Sequence, residues 1–275
     1  MIIGIDIGGT KCAVIKGNLD ENGKIEIIKK IKTDTKNIKP EKALDLFCKQ
    51  IDEIADGEKI DAIGVSCGGP LDEKRGVIMS PPNLPGWDGV EIKKFLENKY
   101  HVSVSVRNDA NACALAEWKF GAARGYSNVV FLTFGTGMGA GLILDGKLYS
   151  GTNGMAGEAG HIRLAPDGPR GFGKNGSFEG FCSGGGIAKM GKSEAENALK
   201  NGKSLSYCKN IGEIDDISAK KIAECANEGF DDAKEIYRKC AQKLGMGLSI
   251  LIDVLNPEII VIGSVFKRAY GLLAD

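Results

Sequence analysis

The chain has 275 residues, of which 43% are hydrophobic and 26% charged, enough apolar material for a large core and too much for a disordered chain. Lys plus Arg and Asp plus Glu both number 36, so the basic excess that holds proteins on nucleic acid is missing and no nucleic-acid partner is expected. Leu244 to Ile252, the longest strongly apolar stretch, is too short to span a bilayer, and MIIGIDIGG carries no export signal, so a cytoplasmic protein without a membrane partner is expected.

In chain order, Met1 to Asp6 is a short apolar run followed by the turn Gly8-Gly9-Thr10. Cys12 to Lys16 is a second run, Asn18 to Gly23 a polar turn, and Ile25 to Ile31 alternates as a half-buried strand would. Pro40 to Asp56 has helical spacing (Ala43, Leu44, Phe47, Ile51, Ile54) and Gly57 closes it. Ile60 to Ser66 reads as a strand, Val90 to Lys99 as a helix, Val102 to Val106 as a strand and Ala110 to Phe120 as a helix. The pattern then restarts. Asn128 to Phe134 is a strand, Gly135 to Gly141 a glycine turn, Leu142 to Leu144 a strand and Asp145-Gly146 a turn. A helix-rich stretch reaches Leu255, Ile259 to Ile262 is a buried strand, and Val265 to Leu273 starts a helix. Two α/β domains of one plan, 1–120 and 121–275, are expected to face each other across a cleft.

Glycine is abundant, at 39 residues, without a period, which points to tight turns and close backbone approach to a ligand. GIDIGGTK comes near a P-loop, but Thr10 precedes Lys11 and the β-branched run CAVI continues as a strand where a helix is required. Gly135, Gly137 and Ala140 satisfy GxGxxG/A, yet LILDGKLYSG beyond them looks like a hairpin. Alone, each is an ordinary glycine hairpin; as a pair in a duplicated frame they suit phosphate oxygens through bare N–H groups. Asp6 could hold Mg²⁺ through water, and Thr10 and Thr136 offer hydroxyls.

Arg107-Asn108-Asp109-Ala110-Asn111 lies at a strand-to-helix junction, where a single cap would explain only one of its polar residues. Glu158 and His161 sit three apart after GTNGMAG, and Glu179 follows PDGPRGFGKNGS. His101, beside Tyr100, is assigned to the surface. The eight cysteines form no CxxC pair and read as reduced, mostly buried thiols.

Together these segments resemble the ROK family (repressor, open reading frame, kinase), a branch of the actin and hexokinase superfamily. The resemblance runs from Ile2 to about Phe266 through GIDIGGTK, GVSCGGPLD, SPPNLPGWDGV, NDANACALAEWKFGA, FGTGMGAGLILDGKLYSGTNGMAGEAGH and NPEIIVIGS. It implies two ribonuclease-H-like domains and an ATP- and Mg²⁺-dependent, glucokinase-like sugar kinase acting on a hexose. Asp109 would be the general base; Asn108, Glu158, His161 and Glu179 would bind sugar hydroxyls; Gly69 and Asn83 would line the sugar pocket. Asp6, Gly8, Gly9, Thr10, Lys11, Thr136 and Gly137 match the phosphate loops, and Gly263 the adenosine side. A homodimer is implied by resemblance alone. The family's CxCGxxGCxE zinc motif is broken at Arg170, Phe172 and Ser177, so no structural zinc is expected, with Phe172 and Phe178 packing in its stead. The alternatives are a sugar-sensing regulator of the same family without a DNA-binding segment, and a catalytically silent sugar-binding protein. Beyond the helix that begins near Val265 the pattern is one strand and one helix short of the plan, which makes the C-terminal end read as incomplete, and the identity of the sugar is left open.

Overall fold

The computed structural model describes residues 1–21 and 23–274; Asn22, in the expected polar turn, and Asp275 lie outside the described residues. Contacts divide the chain into two compact units, Met1–Gly125 with Ser150–Ala156, and Tyr126–Tyr149 with the chain from Gly157 onward. Residues 121–125 and 150–156, which the sequence pattern places in the second domain, thus have their contacts in unit 1.

Unit 1 contains strands β1 (Ile2–Ile7), β2 (Lys11–Leu19) and β3 (Ile25–Asp34), helix α1 (Pro40–Ala55), strands β4 (Ala62–Cys67), β5 (Leu71–Asp72), β6 (Val77–Met79) and β7 (Asp88–Val90), helix α2 (Ile92–Tyr100), strand β8 (Ser103–Asn108) and helix α3 (Asp109–Phe120). Its main sheet has the order β3-β2-β1-β4-β8, antiparallel through the first three strands and parallel beyond. Ile3, Ile5, Ile63, Val65, Val104 and Val106 point alternately inward and meet Phe47, Ile51 and Ile54 of α1, all at most 3% exposed. Pro40 opens α1 where its missing N–H costs nothing, and Asp56, left-handed at φ 48°, closes it one residue before Gly57.

The outer strand departs from expectation. Ile25, Ile27 and Ile28 are 44%, 63% and 49% exposed, because β3 is an edge strand shifted by a bulge at Lys16/Gly17, and only Ile31 packs on the core. Lys29, Lys30 and Lys32 on the same strand guard that edge. The three-stranded sheet β5-β6-β7 was not expected, and its last strand takes Val90 from the start of the expected helix. His101 is exposed and left-handed at the C-terminus of α2.

Unit 2 contains strands β9 (Val129–Phe134), β10 (Met138–Leu144), β11 (Lys147–Leu148), β12 (Arg170–Gly171) and β13 (Lys174–Asn175). Helices α4 (Phe178–Phe181), α5 (Gly184–Lys200), α6 (Ala219–Asn227) and α7 (Asp231–Leu255) follow, then strand β14 (Ile259–Ile262) and helices α8 (Val265–Arg268) and α9 (Tyr270–Leu273). The sheet order is β11-β10-β9-β14, with β9 antiparallel to β10 and parallel to β14. A hairpin followed by a parallel strand is also how β1, β2 and β4 are joined, so the duplicated plan is present in hydrogen bonds as well as in sequence. No helix among the described residues is long and apolar enough to cross a membrane.

Three expectations are corrected in unit 2. The glycine turn is shorter, since Met138 to Gly141 belong to β10: the Thr133 side chain accepts from the Gly139 N–H at 2.9 Å, and the Gly157 carbonyl accepts from Ala140 at 2.7 Å. Bare glycine in a strand permits that close approach. The strand Ile259 to Ile262 is half-buried at every residue; β9 pairs along one side, and no described strand pairs along the other. The helix beginning at Val265 is two four-residue pieces split at Ala269 (φ −116°).

Candidate active site

In unit 1 the hairpin turn between β1 and β2 closes through the Gly8 N–H and the Lys11 carbonyl at 3.1 Å. A Cβ on Gly9 would lie 2.5 Å from the Asn83 carbonyl oxygen, so only glycine lets this turn lie against the PN segment. Thr10 and Lys11 stay exposed on the hairpin. A Cβ on Gly69 would lie 3.2 Å from Asn108 Nδ2, which brings GGP to the end of β8. Asn108 is the N-cap of α3, its side-chain oxygen accepting from the Ala110 N–H at 3.0 Å.

Asp109, the first residue of α3, accepts from the same N–H at 2.8 Å. Asp109 and Asp6 both reach solvent. Burial on the protein side, with the Asp6 charge adding to it, holds the Asp109 carboxyl above the ordinary carboxylate range; the Ala110 N–H pulls the other way without reversing this. One turn along, Cys113 feels the same charges, and burial together with Asp109, Asp6 and Glu117 pushes its thiol up to about 11. A raised carboxyl beside a second carboxylate suits proton abstraction, and two such oxygens suit a hard divalent cation shared with phosphate.

In unit 2 the turn Gly135-Thr136-Gly137 is tied to the start of α5. The Gly184 N–H donates to the Gly135 carbonyl at 2.8 Å and the Gly185 N–H to that of Thr136 at 3.2 Å, with Ser183 capping the helix. A Cβ on Gly184 would meet Val265 Cγ2 at 3.8 Å, just beyond Gly263, so the turn after β14 belongs to the same cluster. Sequence reasoning missed Ser183 to Gly186; three successive glycines at a helix start were the available signal.

Glu179 lies against that turn. Its carboxylate accepts from the Met138 N–H at 3.0 Å, and a Cβ on Gly137 would come within 2.6 Å of it. A Cβ on Gly160 would meet the Cβ of Glu179 at 3.2 Å, which brings the ExGH loop onto α4. Within that loop His161 Nε2 stands 3.6 Å from Glu158. The Phe172 ring stacks on the imidazole at 5.0 Å between centroids and 16° between planes. Ser177, at a lost thiol position, caps α4 through the Gly180 N–H at 3.1 Å, and Phe178 is fully buried. No cluster of three His, Cys, Asp or Glu able to hold a metal occurs among the described residues, and the residues around His161 do not fit zinc.

The expected site residues therefore fall into two groups. Unit 1 holds Asp6, Gly8 to Lys11, Gly69, Asn83, Asn108 and Asp109, and unit 2 holds Thr136, Gly137, Glu158, His161, Glu179 and Gly263.

Comparison with known proteins gives three kinds of match. The ROK family profile matches residues 2–274. The chain is 35% identical over 276 residues to a glucokinase of Streptomyces coelicolor, covering all of this chain and 85% of that protein. It is 30% identical to a xylose repressor of Caldicellulosiruptor bescii over 266 residues, covering 96% of this chain and 65% of the repressor. Among solved structures, a ROK family glucokinase of Streptomyces griseus, in complex with glucose and AMPPNP, superposes with a TM-score of 0.77 at 32% identity over 99% of this chain and 87% of that one.

Proposed function

The chain belongs to the ROK family, and on that premise we propose that it phosphorylates a hexose hydroxyl with ATP. The observation that carries this reading is the carboxylate of Asp109, raised by burial and by Asp6 at a capped helix N-terminus that also presents Asn108. Asn108, Glu158, His161 and Glu179 hold the sugar hydroxyls, with Gly69 and Asn83 in the pocket wall. The acceptor hydroxyl gives its proton to Asp109 as its oxygen bonds the γ-phosphorus. The bond from that phosphorus to the bridging oxygen breaks, and its electron pair leaves on ADP.

The turn Gly8 to Lys11, closed by the Gly8 N–H, and the turn Thr136-Gly137 carry the phosphate oxygens, and Gly263 lies on the adenosine side. Mg²⁺ would be held by Asp6 through water together with phosphate oxygens, where it neutralises charge; the exposed Asp6 carboxylate fits that use. The similar glucokinase that binds glucose and AMPPNP makes a glucose-like hexose the first substrate to try.

The similarity to a xylose repressor supports a second reading, a sugar-responsive regulator. A coupled ADP-release assay over a hexose panel separates the two. Sugar-stimulated ADP release supports the kinase, and its absence from folded, sugar-binding protein leaves the regulator or a catalytically silent sugar-binding protein.

A further inference from the structure

Glu73 directly follows GGPLD and β5, in a turn of charged residues. Its side chain is only 11% exposed. One carboxylate oxygen accepts from the backbone N–H of Asn108 and from Asn111 Nδ2, both at 2.8 Å. The other accepts from Ser150 Oγ at 3.3 Å and faces Arg107 Nε at 3.9 Å. Asn111 is itself 2% exposed and reaches Ser150 Oγ at 3.4 Å. Arg107 Nε and Asn111 Oδ1 are buried without hydrogen-bond partners, so Glu73 is the acceptor on which this crowded group depends.

We propose that Glu73 is a positioning residue for the proposed phosphoryl transfer. By bonding the amide that precedes Asp109 and the side chain that follows it, Glu73 fixes the peptide from which the base projects. Two charge-assisted bonds, one on each side of Asp109, leave that peptide little rotation. Ser150 opens the 150–156 segment, so the same carboxylate also ties the start of α3 to a stretch of chain that leaves unit 2 for unit 1. The inference rests on the kinase reading for its catalytic consequence and on geometry alone for its structural one.

The test compares Glu73→Ala with Glu73→Gln in the full chain. Gln keeps an acceptor for both N–H groups and can donate to Ser150, whereas Ala leaves them unbonded. Glu73→Ala should lower kcat by about tenfold or more while KM for ATP stays within about threefold, since a misplaced base costs turnover rather than nucleotide binding. Glu73→Gln should recover kcat to within about threefold of wild type. Exchange of the Asn108 amide, followed by NMR without substrate, should quicken by about tenfold in Glu73→Ala and stay near wild type in Glu73→Gln. An unchanged kcat in Glu73→Ala, no recovery with Gln, or unchanged amide exchange would each overturn the proposal. If wild type releases no ADP with any hexose, the kinase reading fails, and the exchange measurement still decides whether Glu73 fixes this peptide. Should Glu73→Ala not fold, Glu73→Gln and Ser150→Ala carry the same two readouts: near-wild-type values for Gln with a loss of less than about tenfold for Ser150→Ala support the role, and equal values in the two variants overturn it.

Discussion

Phe172 and Gly173 form the two-residue loop between β12 and β13, with φ of 44° and 80°. Both central residues of a type I′ turn require positive φ, which Asn-Gly meets with little strain and Phe does not. Phe172 is also 65% exposed, so burial does not explain it; the stack on His161 does. Replacing it with Asn removes the stack, about 0.5–1.5 kcal/mol. It also removes roughly a third of a Phe side chain's burial, about 0.5–1 kcal/mol. Relief of the left-handed strain restores about 1 kcal/mol. The net loss of about 0–1.5 kcal/mol should lower Tm by no more than about 5 °C in a chain of this size. Freed from its stacking partner, His161 should hold the sugar less well, raising the sugar KM about three- to tenfold with kcat nearly kept. Thermal unfolding and ADP release at varied sugar concentration measure the two effects. A fall in Tm beyond about 10 °C would show the ring to be structural, and an unchanged KM would show the stack to be idle.

Asp109→Asn should lower kcat by about 10²–10⁴-fold, as loss of a general base does. The folded state raises the Asp109 carboxyl, so it binds that proton more tightly than the unfolded chain does, and the ionised residue opposes folding as pH rises through the raised value. Asn should therefore raise Tm at neutral pH; a lower Tm contradicts the assigned direction. In wild type, kcat/KM should fall as the pH drops through that same raised value, so the acid limb should lie above the range of an ordinary carboxylate. Metal analysis should find far less than one zinc per chain, and EDTA should leave Tm unchanged; one tightly bound zinc held by His161 would overturn the stacking account. Cys113, exposed but with its thiol pushed up to about 11, should react with iodoacetamide at pH 8 much more slowly than a free thiol, and equal rates would refute the charge environment drawn around Asp109.

What could be read from sequence were features that rest on short-range chemistry. The β1–β2 glycine turn, α1 with its Pro40 start, and the strand-to-helix junction at 107–111 all follow from neighbouring residues, and their positions agree to within a residue or two. Features that depend on distant partners were not legible. The strands β5 to β7 have two or three residues each and exist only by pairing with one another. Met138 to Gly141 look like a turn because glycine is poor in strands, yet a strand forms there since the 157–160 loop needs bare backbone to approach. Exposure of Ile25 to Ile28 follows from strand order, which alternation cannot report. Glu73 gave no signal, because among Asp72, Lys74 and Arg75 one more charge looks ordinary. The pairing of each glycine turn with its neighbour, Asn83 in one unit and the start of α5 in the other, is likewise a matter of three-dimensional approach.

The excursion of residues 150–156 has a consequence for the order in which the protein can be made. When Gly125 has just been added to the growing chain, every strand of the first sheet has been made, but Ser150, a partner of both Glu73 and Asn111, has not been synthesised. At about 5–20 residues per second, the roughly thirty residues from there to Ala156 take about 2–6 s to appear. Throughout that interval the nascent first unit must satisfy the amide of Asn111 and the carboxylate of Glu73 with water or with its own groups, such as the Asn108 N–H, in place of Ser150. Its last native contacts form after the β9–β10 hairpin of the second unit has already been extruded, so the two units complete in an interleaved order rather than one after the other.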